Sequence, residues 1–173
     1  AGAALPVTNP ADTREVVGQW LAADAATVQK ALANAVAAQP AWNRTPAASR
    51  AAILEHAADQ LEARMPEFMA LCVKEAGKSL PDSIAEVREA VDFLRYYAKQ
   101  AREQFSHAEK LPSPTGESNE LQLHGRGVFV CISPWNFPLA IFLGQVAAAL
   151  AAGNSVIAKP AEQTHLIGYY AVK

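Results

Sequence analysis

Two short polar segments carry side chains that could do chemistry. The first, Ser-Pro-Trp-Asn-Phe-Pro at positions 133–138, places Asn136 between two prolines. A side-chain amide in a rigid loop can donate a hydrogen bond to a developing oxyanion, and removing one such donor slows a reaction by about 10²–10³. Asparagine is equally common as a turn or helix N-cap residue. Residue type and spacing therefore leave both interpretations of Asn136 open.

The second segment, Lys-Pro-Ala-Glu at positions 159–162, offers a cation and an acceptor three residues apart. Lys159 and Glu162 could together hold the hydroxyls of a ribose. The alternative is a solvated ion pair, worth about 0–1 kcal/mol, and the spacing alone favours that alternative. The sequence contains neither a G-x-G-x-x-G nor a Walker motif, so it does not indicate a phosphate cradle.

Each segment directly follows a predicted buried strand. The apolar runs 127–132 and 154–159 flank an apolar helix predicted over 138–152, and another helix begins near His165. This order predicts the opening of an α/β, doubly wound parallel sheet, in which ligands bind beyond the carboxyl ends of the strands. We expect both segments at that edge. One crossover and a half cannot bury such a sheet, so we also expect missing neighbours, exposed apolar faces and association.

Residues 1–105 are predicted to be mainly helical, after a turn at 10–13 and a strand over 15–21. Helices are predicted from Asp24 to about Gln39, from Thr45-Pro46 onward, from Pro66 to Gly77, and for about 22 residues from Ser79. Residues 106–120 read as a polar loop. The positions predicted on the apolar helix faces are Val28, Ala31, Leu32, Ala35 and Val36, then Ile53, Leu54, Ala57, Ala58 and Leu61, then Ile84, Val87, Val91, Leu94, Ala98, Ala101 and Phe105.

Composition excludes several classes of protein. The 173 residues carry a net charge of −2, which does not indicate a nucleic-acid partner. Two cysteines, Cys72 and Cys131, are too few for a disulfide scaffold or a cysteine-rich zinc site, so we expect no metal and a reduced, cytoplasmic setting. The 32 uncharged residues between Arg126 and Lys159 are interrupted by prolines and polar residues, and we expect no membrane span there.

Two longer motifs, Cys131-Ile-Ser-Pro-Trp-Asn-Phe-Pro-Leu139 and the run from Ala147 to Thr164, resemble the NAD(P)-dependent aldehyde dehydrogenases in sequence, order and spacing. Segments 8–12, 16–18 and 74–78 are similar to further landmarks of that family. The resemblance covers essentially the whole chain but only the front third of a family member. The chain starts at Ala1, so we expect it to be processed or cut from something longer.

Within the family, residues 86–97 together with 131–135 resemble the Δ1-pyrroline-5-carboxylate (glutamate γ-semialdehyde) dehydrogenases. The dehydrogenase module of bacterial bifunctional proline-utilisation proteins is the most similar group. This implies a small-molecule aldehyde as substrate, NAD as cofactor and a homo-oligomer in the intact enzyme. FAD would belong only to a separate proline dehydrogenase module, if the parent protein is bifunctional.

The resemblance also implies a role for individual residues. Asn136 would be the oxyanion-hole donor, and Lys159 and Glu162 would bind the adenosine ribose. A carboxylate near the 2′-hydroxyl would favour NAD over NADP. The residues implied on the nicotinamide-ribose side are Ile132, Ser133, Pro134 and Trp135.

The same resemblance implies three parts: helices of the cofactor domain over 1–105, a loop or oligomerisation-hairpin arm over 106–126, and the start of the NAD-binding sheet over 127–173. The strand that pairs with that arm would lie beyond Lys173. The family's nucleophilic cysteine and glutamate base belong to later segments. We expect Cys72 and Cys131 to be buried and inert, and the chain alone to be inactive. The alternatives are a dehydrogenase of another substrate and a non-catalytic binding or oligomerisation module.

Overall fold

In the computed structural model, which describes residues 3–173, helices dominate the first part of the chain and a parallel strand pair the last. This arrangement confirms the predicted α/β class. The elements in chain order are β1 (Leu5–Asn9), β2 (Asp12–Trp20), α1 (Ala25–Arg44), α2 (Ala47–Ala63), α3 (Met65–Ala76), α4 (Leu80–Phe105), β3 (Glu109–Leu111), β4 (Asn119–Leu121), β5 (Val128–Ile132), α5 (Ala140–Ala151), β6 (Ser155–Lys159) and α6 (His165–Val172).

Helix α4 is the centre of the hydrophobic core, where it packs against α2, α3 and α5. The Ser79 hydroxyl accepts from the backbone N–H of Asp82 (3.3 Å) and donates to its carboxylate (2.6 Å), which confirms the predicted cap. The seam of apolar residues predicted along α4, from Ile84 to Phe105, is buried in its middle. The prediction is wrong at Ile84, which is 39% exposed. In this first part of the helix the buried positions are Ser83, Glu86 and Val87 instead. The seam residues that are buried are Val87, Val91, Leu94, Ala98 and Ala101.

Helix α1 differs from the prediction in length and in environment. It begins at the predicted Asp24 cap but continues through Pro40, because contacts further along anchor its last turn, such as the Trp42 indole donating to the Leu150 carbonyl (3.0 Å). None of its residues is buried. Ala31 and Ala35 are half-buried where α1 contacts β6 and β5, whereas the larger predicted residues stay exposed, Val28 at 50% and Val36 at 56%.

Helix α2 buries one narrower face than predicted. Leu54, Ala58 and Leu61 are buried as expected, whereas Ile53 is 54% exposed and Ala57 also faces solvent. The buried positions recur three and four residues apart, and Ile53 and Ala57 each lie one residue off that row. The Thr45 hydroxyl donates to the carbonyl of Ala41 in α1, so it closes the preceding helix rather than capping α2.

Two hairpins were incompletely predicted. Strand β1 was missed, although the turn before Asp12 is present and β1 pairs antiparallel with β2. Within the predicted polar loop, β3 pairs antiparallel with β4. We expected the strand that pairs with this arm to lie beyond Lys173, but β4 already provides one partner. The Ser113 hydroxyl accepts from the backbone N–H of Asn119 (3.0 Å) and ties the connection together.

The parallel pair β5–β6, connected by α5, is present as predicted, with Val128 opposite Ser155 and Ile132 opposite Lys159. Its outer surface lacks neighbours. Val130 is 60% exposed and Ile132 is 64% exposed, and an open groove of about 520 Å³ lies between β5 and α5. The expected exposure of apolar strand residues is therefore confirmed. Among residues 3–173, no helix combines the length and apolar character needed to cross a bilayer.

Candidate functional site

The two chemically promising segments leave the same edge of the β5–β6 sheet. Ile132 and Lys159 are paired across the strands, and the backbone N–H of Ser133 donates to the Lys159 carbonyl (3.1 Å). The first residue of each segment is therefore within one hydrogen bond of the other. This geometry confirms the expectation that both segments lie at the carboxyl edge of the sheet.

The first segment exposes Asn136 at that edge. Ser133 is buried, Pro134 is half-buried, and Trp135 and Asn136 are exposed. Helix α5 begins only at Ala140, and no side chain of the residue before it caps the helix. Asn136 is exposed in the bend between strand and helix, so the helix N-cap interpretation is wrong. The turn interpretation agrees with this position, and the role of oxyanion donor stays a prediction.

The second segment exposes both of its polar side chains. Lys159 and Glu162 face solvent, and the Lys159 ammonium donates to the adjacent Pro160 carbonyl (3.1 Å). Within residues 3–173 the ion pairs do not include a Lys159–Glu162 bridge. The alternative of a solvated ion pair is therefore not realised, and both charged groups are available to a ligand.

A buried glutamate that sequence reasoning did not assign to the site holds the start of α5. The Glu86 carboxylate, 1% exposed, accepts from the backbone N–H groups of Leu139 (3.1 Å) and Ala140 (2.9 Å). Its second oxygen lies 2.8 Å from the Lys78 ammonium. That ammonium also lies 4.5 Å from the centre of the Phe137 ring. Glu86 and Lys78 therefore contact the end of the loop that carries Asn136.

A second buried glutamate does the same for α6. Glu75 accepts from the backbone N–H groups of Leu166 (2.7 Å) and Ile167 (2.8 Å). Burial raises the pKa of Glu75, and the backbone N–H groups of Leu166, Ile167 and His165 offset this only in part. A free helix N-terminus is a ready phosphate site, but the first turns of α5 and α6 are already occupied by protein carboxylates. This agrees with the absence of a phosphate-binding motif in the sequence.

The sequence analysis did not predict that Glu86 and Glu75 hold helix starts, because a glutamate beside an apolar stripe is normally expected to be solvated. One signal was present: Glu86 lies three residues after Ser83 and four before Ala90, so it shares the buried face of α4. Glu75 similarly follows the buried Cys72 by three residues. Helical spacing alone therefore places both glutamates on inward-facing positions.

His165 links the second segment to the N-terminal hairpin. Its ring stacks on Trp20 with centroids 3.8 Å apart. Burial lowers the pKa of His165, the Lys159 charge lowers it further, and the Glu162 charge acts in the opposite direction. The imidazole is therefore neutral at neutral pH and packs as an aromatic ring.

Neither thiol of the chain is suited to act as a nucleophile. Cys72 is 0% exposed, and burial raises its pKa to about 12, with a smaller contribution from the Glu86 charge. Cys131 is 6% exposed, and burial also raises its pKa. Because the thiolate is the reactive form, the structure agrees with the expectation that both cysteines are buried packing residues.

Comparison with known proteins decides the family. The aldehyde dehydrogenase family pattern matches residues 1–173. The chain belongs to the aldehyde dehydrogenase family. This confirms the family that segments 131–139 and 147–164 resembled.

Several aldehyde dehydrogenase relatives are similar along nearly the whole chain. The Bifunctional protein PutA of Klebsiella aerogenes is 54% identical over 166 residues, which are 96% of this chain and 12% of that protein. The 1-pyrroline-5-carboxylate dehydrogenase of Anoxybacillus flavithermus is 43% identical, over 93% of this chain and 31% of that protein. The chain thus spans about an eighth and a third of these relatives, respectively.

The fold agrees with solved aldehyde dehydrogenase structures. The 1-pyrroline-5-carboxylate dehydrogenase from Thermus with bound NAD superposes with a TM-score of 0.95 at 37% identity, over 99% of this chain and 33% of that one. The resemblance to both PutA and 1-pyrroline-5-carboxylate dehydrogenases is therefore confirmed.

Proposed function

We propose that this chain supplies the first part of the cofactor domain of a longer NAD-dependent aldehyde dehydrogenase in proline catabolism. Its substrate is L-glutamate γ-semialdehyde, the open form of Δ1-pyrroline-5-carboxylate, and its product is glutamate. The observation that carries the proposal is the pairing of Ile132 with Lys159, which brings Asn136 and the Lys159–Glu162 segment to one sheet edge. The names of the relatives support the choice of substrate.

The exposed groups at this edge fit a dinucleotide. Lys159 and Glu162 bind the adenosine ribose. Because this cation and this acceptor do not pair with each other, both can hydrogen-bond the ribose hydroxyls. The Glu162 carboxylate repels a 2′-phosphate, so NAD is preferred over NADP. The residues that line the nicotinamide-ribose side are Ile132, Ser133, Pro134 and Trp135. Donors for the phosphates come from elsewhere, because Glu86 and Glu75 occupy the first turns of α5 and α6.

Asn136 is the catalytic residue that this chain contributes. A cysteine thiolate from outside the chain attacks the aldehyde carbon, and the carbonyl oxygen becomes the oxyanion of a thiohemiacetal. The Asn136 amide donates to that oxyanion in a preorganised geometry. When bound, NAD would supply the hydride acceptor for this carbon, and hydrolysis of the resulting thioester by water would release glutamate and the free thiol. Because Cys72 and Cys131 are buried, the 173-residue chain alone is inactive.

The assembly and setting follow from the same assignment. The intact enzyme is a homo-oligomer, to which the exposed β3–β4 hairpin over 106–126 contributes, and it acts in the cytoplasm. FAD belongs only to a separate proline dehydrogenase module, where one is joined to the dehydrogenase.

The proposal is tested in the full-length dehydrogenase with NAD, glutamate γ-semialdehyde and a panel of other aldehydes. Asn136→Ala is expected to lower kcat about 10²–10³-fold, as for other oxyanion donors. Asn34→Ala on the exposed surface of α1 is the control and leaves kcat unchanged. Preference for another aldehyde would replace the substrate assignment. NAD-dependent turnover by the 173-residue chain alone, abolished by Asn136→Ala, would overturn the assignment of the nucleophile.

A further inference from the structure

The loop between β5 and α5 is held at both ends, and only its middle is exposed. At the strand end, Ser133 donates to the Lys159 carbonyl and the Gln145 amide donates to the Ile132 carbonyl (3.3 Å). At the helix end, Pro138 and Leu139 are fully buried. Asn136 lies between these two anchors, and no hydrogen bond of its own side chain to the described residues holds it. Its position therefore depends on the anchors.

The helix-end anchor depends on one buried carboxylate. Glu86 accepts from both Leu139 and Ala140, three and four residues after Asn136. Consecutive Cα atoms are about 3.8 Å apart, so a shift at Leu139 or Ala140 reaches Asn136 through only three or four peptide units. A buried acceptor that holds two backbone donors resists such a shift, because its loss would leave those donors unsatisfied.

Lys78 connects that carboxylate to the residue beside Asn136. Its ammonium lies 2.8 Å from a Glu86 oxygen and over the Phe137 ring, and its side chain is only 14% exposed. Gly77, with φ of 67°, ends α3, and the Lys78 N–H donates back to the Cys72 carbonyl (3.1 Å). The backbone of Lys78 is therefore fixed before its side chain reaches the loop.

We propose that Glu86 and Lys78 are positioning residues for Asn136: the buried ion pair fixes the start of α5 and the Phe137 ring, and thereby holds the Asn136 amide where the oxyanion forms. The inference rests on the proposed function of Asn136. Neither residue contacts the reacting atoms, so both act through the loop.

Glu75 provides a matched comparison within the same chain. It is a buried glutamate, it accepts from two backbone N–H groups at the start of a helix, and it belongs to the same helical part. It differs because it holds α6, which follows the Lys159–Glu162 segment, and it contacts neither Phe137 nor Leu139. Loss of Glu75 therefore disturbs a helix start of the same kind without acting through Asn136.

The test is a double-mutant cycle in the full-length dehydrogenase, with Glu86→Gln made both in the native enzyme and in Asn136→Ala. Glu86→Gln alone is expected to lower kcat about 10–100-fold, as for a misplaced catalytic group, with less than about a threefold change in KM for NAD. In the Asn136→Ala enzyme, it is expected to lower kcat less than about threefold, because the amide it positions is gone. Glu75→Gln is expected to change kcat by the same factor in both backgrounds.

A purely structural role predicts a different cycle. If Glu86→Gln lowers kcat equally with and without Asn136, or leaves kcat unchanged in the native enzyme, the positioning role is overturned. Full kcat in Asn136→Ala would overturn the proposed function of Asn136 and this inference with it. Where Glu86→Gln does not fold, the cycle is run with Lys78→Met. Lys78→Arg keeps the charge and is expected to hold kcat within about threefold of the native enzyme.

Discussion

In both the β5–α5 and the β6–α6 unit, the carboxylate of a buried glutamate from the helical part accepts from two backbone N–H groups at the start of the helix. The two units differ in how the charge of that carboxylate is balanced. Glu86 also has the Lys78 ammonium 2.8 Å away, whereas Glu75 has no ion-pair partner within residues 3–173 and burial raises its pKa. The first unit is therefore charge-compensated, and the second can respond to pH.

This difference matches the parts assigned to the two units. An oxyanion donor needs a fixed position to within fractions of an ångström, and the loop of Asn136 is held by an ion pair and by the sheet. Lys159 and Glu162 are exposed, and under the proposed function they would bind the ribose with flexible side chains. Side chains are therefore expected to be positioned more tightly in the β5–α5 loop than in the segment after β6.

The largest effect on stability is expected from breaking the buried pair. Lys78→Met leaves Glu86 buried without its cation and is expected to reduce the free energy of unfolding by about 3 kcal/mol. Lys74→Met is the matched control, because Lys74 pairs with Glu15 (2.5 Å) on the surface, where both side chains are over 40% exposed. Its effect is expected at about 0–1 kcal/mol. Equal losses in urea denaturation of the two variants would show that burial of the pair is irrelevant.

A smaller effect is expected from the second unit, and on cofactor binding rather than stability. Glu162→Gln in the full-length dehydrogenase removes a charged acceptor and is expected to raise KM for NAD about tenfold. It should also narrow the preference for NAD over NADP, with kcat unchanged. Glu89→Gln on the exposed surface of α4 is the control. An unaltered NAD:NADP preference would contradict the ribose assignment.

Glu75 makes the second unit sensitive to pH. Its pKa in the folded chain is raised above its ordinary 4.5 by burial, so the folded state binds the proton more tightly than the unfolded state. The resulting stabilisation is fully present below pH 4.5 and is lost as pH rises through the folded pKa. We expect the free energy of unfolding of the native chain, relative to Glu75→Gln, to fall over that interval. A difference in free energy of unfolding that stays constant or rises with pH would contradict the raised pKa of Glu75.

The smallest effect is expected at His165, with the opposite dependence. Its pKa is lowered from 6.5 by burial and by Lys159, so its contribution is fully present above pH 6.5 and is lost as pH falls through the folded pKa. His165→Phe preserves an aromatic ring against Trp20 and cannot be protonated. Thermal unfolding from pH 7.5 to 5 should show the native chain losing stability relative to this variant. Parallel curves would contradict the burial of the imidazole.

Local sequence was sufficient for much of the candidate site. The apolar runs around 130 and 157 and the helix between them predicted two parallel strands with a crossover. The structure adds their register, in which Ile132 pairs with Lys159. The Ser79 cap and the Gly77 stop were also predictable, because each depends on residues within one turn.

Long-range packing was not predictable in the same way. Glu75 and Glu86 accept from backbone groups more than fifty residues away in the chain, so their helical spacing indicates an inward-facing position but does not identify the groups that they hold. The apolar row of α1 has the spacing of a core helix, and its larger residues are nevertheless exposed. Periodicity shows that a face is apolar, but only the position of neighbouring elements decides whether that face is covered.

The order of strands, loops and helices follows from side-chain type and spacing, because the interactions that form these elements are local and repeat with a fixed period. That order also determines the sheet edge at which Asn136, Lys159 and Glu162 lie. The anchors of that edge do not follow from it. The carboxylate that caps α5, the carboxylate that caps α6, and the lysine beside one of them are decided when α4 packs against α5 and α3 against α6. Burial and charge compensation are properties of assembled neighbours rather than of any one segment.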